Sequence, residues 1–314
     1  MLELTYPISM QDNFGRNINS LRISVTQRCN LKCFYCHKEG QDATDGEISP
    51  PEIEKIIEIS AKLGMTKLKL TGGEPLLRED VCDIIQRASN HIHDISLTTN
   101  GTLLDQYCAE LKDAGLKRVN ISLDTMDSQK YKMITKTDAL PQAIAGIEAA
   151  VANDLTPVKL NMVVMKGIND SDIEDMIHFI ADNDDIILQL IELETSDISN
   201  EIYKRYHHDF TLIEGWIRRR GLRVQERELH HRCKYFIENG GGISEVEIVR
   251  PMHNTTFCKN CTRMRVTSDG KLKPCLLRGD NLVDIIEPIR NGASDEELTE
   301  MFKKAILLRE PFWA

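Results

Sequence analysis

Nine cysteines in 314 residues are the first chemical signal, and six of them fall into two triplets. Cys29, Cys33 and Cys36 have the spacing C-x3-C-x2-C and are followed by His37. Cys258, Cys261 and Cys275 have the spacing C-x2-C-x13-C. Three thiolates can bind three irons of a four-iron cluster and leave the fourth iron open to a small molecule. Zinc is the alternative at each triplet. His37 or another residue would complete the first site, and Cys233 or His253 the second. Zinc motifs usually come as two C-x2-C knuckles, and only one such pair accompanies the first triplet. Disulfides are disfavoured in a reducing cytosol. Cys82, Cys108 and Cys233 are scattered and read as small buried apolar residues.

These cysteines need elements to hold them. Strand-like segments at residues 21–25, 67–71, 95–99, 118–124, 158–164 and 187–193 alternate with helix-like ones. Ser49, Pro50 and Glu52 predict a capped helix start. Gly64 and Gly115 fit helix ends, and residues 171–181 read as another helix. Six βα units imply a parallel sheet. Lys67, Lys69 and Thr71 alternate with Leu68 and Leu70. Asn120, Ser122 and Asp124 alternate with Val119, Ile121 and Leu123. Lys159 and Asn161 alternate with Val158, Leu160 and Met162. With a period of two, each strand has one polar and one apolar face. A doubly wound sheet is apolar on both faces, so the pattern predicts an incomplete barrel with a wet lumen. The first triplet follows the first strand, at the sheet end where such folds carry active sites.

From about residue 196 the rhythm breaks. Residues 210–220 and 296–307 read as helices, and Gly240-Gly241-Gly242 as a loop. Residues 263–267 and 271–273 flank Ser268-Asp269-Gly270, a hairpin with Asp-Gly turn chemistry. The hairpin returns Cys275 beside Cys258 and Cys261. Arg263 and Arg265 then share a face, and their forks suit phosphate oxygens. The expected division is residues 1–195 and 196–314.

C-x3-C-x2-C after a first barrel strand resembles the radical S-adenosylmethionine (SAM) superfamily. The resemblance extends to Thr71-Gly72-Gly73-Glu74-Pro75 after strand two, Thr98-Thr99-Asn100-Gly101 after strand three and Ser122-Leu123-Asp124 after strand four. It implies that SAM chelates the open iron of the first cluster and is cleaved to methionine and a 5′-deoxyadenosyl radical. It assigns Tyr35, Gly73, Glu74 and Ser122 to SAM, with Glu74 suited to a ligand ammonium. The second triplet with Cys261-Thr262-Arg263-Met264-Arg265 is similar to the GTP 3′,8-cyclase (MoaA) family of molybdenum cofactor biosynthesis.

That similarity implies an α/β fold: an incomplete (β/α)6 TIM-like barrel with a C-terminal auxiliary-cluster domain that closes it. It implies two [4Fe-4S] clusters held by the six cysteines, with no protein side chain as the catalytic group. It assigns GTP to Arg22, Lys69, Thr98, Lys159, Arg263 and Arg265, with Lys67 on the same face. The product would be 3′,8-cyclo-7,8-dihydro-GTP, made by a lyase-type cyclase. An electron donor, a downstream pyranopterin synthase and a homodimer are the partners it implies.

Two features depart from the family pattern. The chain ends Glu310-Pro311-Phe312-Trp313-Ala314, where many members have a Gly-Gly tail. Gln189 stands where the family often has Arg, and Glu194 where bacterial members often have Met.

The competing readings are a radical SAM enzyme acting on a peptide or another small molecule, and a zinc-stabilised binding module. Charge weighs against nucleic acid and anionic membranes, because 39 basic and 49 acidic residues give −10. A triphosphate would therefore need a locally basic lumen. No apolar run approaches the roughly 18 residues of a membrane span. Residues 1–7 lack a basic region and an apolar block, so a cytoplasmic setting is expected.

Overall fold

Side chains of alternating character place one face of each central strand under helices and the other on a lumen. The computed structural model describes residues 10–44, 46–181, 183–227, 229–240 and 242–313. The expectations about residues 1–7, Gly241 and Ala314 lie outside the described residues.

Six parallel strands form the centre: β1 (Ser20–Ser24), β2 (Lys67–Thr71), β3 (Asp94–Thr99), β4 (Arg118–Ser122), β5 (Val158–Val164) and β6 (Ile186–Glu192). Their helix-facing residues include Leu21, Ile23, Leu68, Leu70, Ile95, Leu97, Val119, Ile121, Leu160, Met162, Leu188 and Leu190, all fully buried or nearly so. Each is worth about 1.5–3 kcal/mol relative to exposure, as an upper bound. The helix Pro50–Lys62 starts where expected. The Glu52 carboxylate accepts from the backbone N–H of Ser49 at 2.7 Å and from its hydroxyl at 2.9 Å. Its Ile53, Ile56 and Ile57, spaced three and four apart, complete the core. Gly64 and Gly115 take φ of +85° and +109° after their helices, as caps of this type require.

The later strands continue the same sheet on both sides. They are β7 (Gly221–Glu226), β8 (Cys233–Asn239), β9 (Gly242–Val249), β10 (Arg263–Val266), β11 (Lys271–Lys273) and β12 (Val283–Asp284). The order is β12-β11-β10-β1-β2-β3-β4-β5-β6-β9-β8-β7. β10 is parallel to β1, and β9 is parallel to β6. Polar side chains from β10, from β1 to β6 and from the β7–β8 connection line one cavity. The sheet therefore curls round a lumen without closing on itself.

Three expectations change in detail. Gly242, read as part of a loop, is the first residue of β9 and pairs with Asn239 of the antiparallel β8. The helix expected at 171–181 is the 3-10 turn Asp170–Asp172 followed by the helix Ile173–Phe179. The helix expected at 296–307 begins one residue earlier, as Asp295–Leu307, behind the N-cap Ser294.

Candidate active site

The lumen is a cavity of about 800 Å³, inside the usual range for small-molecule sites. All six triplet cysteines are free thiols on its wall. The two triplets lie at opposite ends of one strand pair. The first follows β1, whereas Cys258 and Cys261 precede β10, which runs parallel to β1. β11 runs back antiparallel and delivers Cys275 to the same end. β1 has five residues, so the ends are roughly 15 Å apart at the usual strand rise.

Among the described residues, no three His, Cys, Asp or Glu side chains converge to hold a single metal ion. Three separate thiols round one opening are a donor set that fits three irons of a cluster. Of the fourth zinc ligands suggested by sequence, His37 lines the cavity, where its Nε2 faces Glu194, whereas Cys233 and His253 do not line it. Cys233 begins β8 opposite Glu226, and the His253 ring lies against Trp313 at 4.0 Å.

At the first triplet, close backbone packing sets the loop. A Cβ on Gly73 would sit 2.2 Å from the Arg28 carbonyl oxygen, and one on Gly72 2.5 Å from that of Thr26. These glycines therefore make room for the protein's own cysteine loop, and Gly73 also faces the cavity. Glu74 departs from expectation. Its side chain is fully buried and does not line the cavity. It accepts from Leu76 N (3.1 Å), Thr99 Oγ1 (2.7 Å) and Asn100 N (2.7 Å), tying β2 to β3. Burial outweighs those bonds and pushes its carboxyl up to about 6. These bonds hold the loop and use three of the carboxylate's roughly four acceptor sites. Tyr35 and Ser122 do line the cavity. The Tyr35 hydroxyl donates to Asp124 Oδ2 at 2.7 Å.

All six residues assigned to GTP line the same lumen: Arg22, Lys69, Thr98, Lys159, Arg263 and Arg265. Lys67 joins them. Arg22 Nη2 and Arg265 Nη1 both donate to the Glu39 carboxylate, the latter at 3.2 Å. Burial opposes that carboxylate's charge, but Arg22 and Arg265 outweigh it and hold Glu39 at about 2. Lys69 has no carboxylate partner among the described residues. Burial, then Arg22, Arg263 and Lys159, press its ammonium well below the usual range. Burial also lowers Lys159 to about 8, against the pull of Glu247, whose Oε1 accepts from its Nζ at 3.0 Å. Buried Nε atoms of Arg22, Arg232 and Arg263 have no hydrogen-bond partner in the protein. They are unspent donors on the wall of a cavity.

Sequence reasoning missed part of this wall. Arg227 and Arg232, on either side of the turn between β7 and β8, face the lumen and pair with Glu247 at 3.0 and 3.7 Å. That turn docks on the second triplet, where His230 stacks on Phe257 with centroids 3.8 Å apart. A run of Arg, His and Arg is the only signal the sequence carries for it. Arg118, paired with Asp94, lines the cavity as well.

The departures also have places. Gln189 is buried and its Nε2 donates to Glu247 Oε2, so it braces the carboxylate behind Lys159. Glu194 lines the cavity 3.4 Å from His37 Nε2. Burial opposes both charges, yet the pair prevails, holding Glu194 below and His37 above their ordinary values. Residues 310–313 of the tail enter the cavity beside the second triplet.

Comparisons with known proteins agree with this architecture. The radical SAM superfamily model matches residues 23–180, and the Molybdenum Cofactor Synthesis C model matches residues 186–314. A probable GTP 3′,8-cyclase of Pyrococcus abyssi is 53% identical over 304 residues, covering 96% of this chain and 99% of that protein. One from Methanothermobacter thermautotrophicus is 46% identical over 307 residues, covering 97% and 99%. Among solved structures, Streptococcus suis SuiB bound to its precursor peptide matches with a TM-score of 0.64 at 15% identity, covering 94% of this chain and 66% of SuiB. anSMEcpe with bound AdoMet matches with a TM-score of 0.58 at 18% identity, covering 91% and 82%. At such identities the structures speak for the fold alone. With two matched models spanning its length and relatives identical at half their positions, the chain belongs to the radical SAM superfamily and, within it, to the GTP 3′,8-cyclase family.

Proposed function

We propose that this chain is a GTP 3′,8-cyclase, converting GTP to 3′,8-cyclo-7,8-dihydro-GTP with two [4Fe-4S] clusters and SAM. The observation that carries the reading is one lumen with a thiol triplet at each end and a cationic belt between them. Cys29, Cys33 and Cys36 would hold the first cluster, and Cys258, Cys261 and Cys275 the second. Reductive cleavage of SAM at the first cluster supplies the 5′-deoxyadenosyl radical that removes hydrogen from C3′ of the ribose. The C3′ radical of GTP then bonds to C8 of guanine, and one electron and one proton complete the dihydro ring. GTP and product are isomers.

The chain's own residues bind, orient and exclude water. Arg22, Lys69, Lys159, Arg263 and Arg265 neutralise the triphosphate, helped by Arg227 and Arg232. The unspent Nε donors of Arg22, Arg232 and Arg263 suit anionic oxygens. Thr98, next to the last residue of β3, offers a hydroxyl to the nucleoside. Tyr35, Gly73 and Ser122 lie round the first triplet and orient SAM, while Glu74 positions their loop. Holding the radical in a walled lumen limits side reactions with solvent. A belt this basic favours a polyphosphate over a peptide.

We divide the chain by role near residue 195: residues 1–195 carry the SAM end, and 196–314 the second cluster and the wall that closes the lumen. The reading extends to a low-potential electron donor, a consuming pyranopterin synthase, a homodimer and a cytoplasmic setting. Its test uses GTP deuterated at C3′, with reduced enzyme and SAM. Deuterium should appear in 5′-deoxyadenosine, stoichiometric with an isomer of GTP. Unlabelled 5′-deoxyadenosine and unchanged GTP would reject the assignment.

A further inference from the structure

Two arginines from opposite ends of the sequence meet behind the second triplet. Arg16 is 6% exposed and Arg309 1%. Both donate from Nε to the same oxygen of Asp12, Oδ2, at 2.6 and 3.2 Å. The other oxygen, Oδ1, accepts from the backbone N–H groups of Phe14 and Arg16, each at 3.0 Å. Asp12 is thereby fixed in its own turn.

The remaining guanidinium nitrogens reach backbone carbonyls of the cysteine segments. Arg16 Nη1 donates to Cys258 O at 2.9 Å. Arg309 Nη2 donates to Cys261 O at 2.8 Å. Arg309 Nη1 donates to Pro274 O at 2.9 Å, next to Cys275, and to Arg263 O. Each of the three cysteines thus has a guanidinium on its own carbonyl or its neighbour's. Beyond Arg309, Phe312 and Trp313 line the cavity together with Cys258.

Burying two guanidinium groups on one carboxylate is expensive, and apolar residues could fill the same volume at lower cost. What apolar residues could not do is fix the directions of four carbonyls, which the rigid guanidinium forks do. The clamp also carries two positive charges against one negative, leaving a net +1 behind three thiolates.

We propose that Asp12, Arg16 and Arg309 are positioning residues for the second cluster, so that its loading, and not that of the first, depends on them. The assignment rests on reading the second triplet as a cluster site. The test uses the full chain reconstituted without oxygen in a background of Cys29→Ala, Cys33→Ala and Cys36→Ala. There only the second site can load, with about four irons per chain. Adding Arg309→Lys keeps a charge but loses the fork, and iron and sulfide should fall at least fivefold. In the chain with both triplets intact, Arg309→Lys should keep about four irons and still bind SAM, with the electron paramagnetic resonance signal of the second cluster gone.

Equal loading with and without Arg309→Lys overturns the clamp and leaves the second cluster standing. A background without the first triplet that takes up no iron overturns the second cluster and the clamp together. Should Arg309→Lys lose SAM binding and the first cluster too, the clamp is a general structural element and the proposal fails.

Discussion

Arg22 and Arg265 lie directly opposite each other on the parallel pair β1 and β10, and both give a guanidinium proton to Glu39. The carboxylate comes from the segment just after the first triplet. The next residue, Gly40, has φ +60°, and a Cβ there would come within 2.2 Å of the Leu276 carbonyl oxygen, beside Cys275. One short loop therefore touches the surroundings of both triplets. Its anion also offsets the repulsion between the two guanidinium groups.

Glu39→Gln should destabilise the protein by about 3 kcal/mol at pH 7, since it leaves two buried guanidinium groups without their counter-ion. The sign of the pH dependence follows from a folded-state value held at about 2. The contribution is full above the ordinary value of 4.5 and is lost as pH falls towards 2. Urea unfolding should separate the two proteins widely at pH 7, with the gap shrinking below pH 4.5 and closing near pH 2. A constant gap across that range would contradict the assignment.

Binding of GTP should take up protons near pH 8. Burial holds Lys159 at about 8 in the empty lumen, and Lys69 well below its usual range. An anionic phosphate beside them favours the charged forms. Affinity should therefore fall as pH rises above 8. Titration calorimetry in two buffers of different ionisation heat measures the uptake directly. Heats independent of buffer at pH 8 would remove these lysines from the phosphate site.

Arg232→Ala should weaken GTP binding about 10–100-fold, the worth of one hydrogen bond between charged groups. Cleavage of SAM in the absence of GTP should continue at the rate of the unaltered chain, because Arg232 lies beyond the first triplet. Unaltered GTP affinity would mean that Arg232 serves only Glu247.

Gly73→Ala should cost the first cluster and spare the second. The added carbon would lie 2.2 Å from one backbone oxygen of the cysteine loop and 2.6 Å from another, at Arg28 and Gln27. Neither is the end of a flexible side chain, so the loop itself must move. Iron content should drop by about half, with the remaining signal from the second site. Full iron content would show that the loop tolerates the shift.

The six central strands were legible because each repeats one pattern: apolar residues for the helices, polar residues for the lumen. β2 and β5 have the expected limits, β3 begins one residue early, and β1 and β6 are each shifted by one residue. The stretch Gly242-Ile243-Ser244-Glu245-Val246-Glu247-Ile248 carries the same period of two. Its glutamates and the preceding glycines read more readily as loop, but a Gly-rich turn between alternating runs is also a hairpin signal.

What could not be read was long-range pairing. Glu247 of β9 meets Lys159 of β5 and Arg227 and Arg232 of the β7–β8 turn, so nothing local announces their convergence. Glu74 is a second instance. Its chemistry suits an ammonium, but only the folded arrangement shows that it also accepts from Thr99, Asn100 and Leu76. The tail illustrates a third case. No Gly-Gly pair marks it, yet Arg309 anchors it, and Phe312 and Trp313 line the cavity together with Cys258.

The parallel register of β1 with β10 has a consequence for how such a protein can change. A residue added to one strand alone turns every later side chain to the wrong face, so both strands must lengthen together or not at all. The gap between the two thiol triplets thus acts as a caliper built into the main chain. Substituting side chains along the lumen alters which groups a guest meets there. It leaves untouched how long a guest must be to touch both jaws.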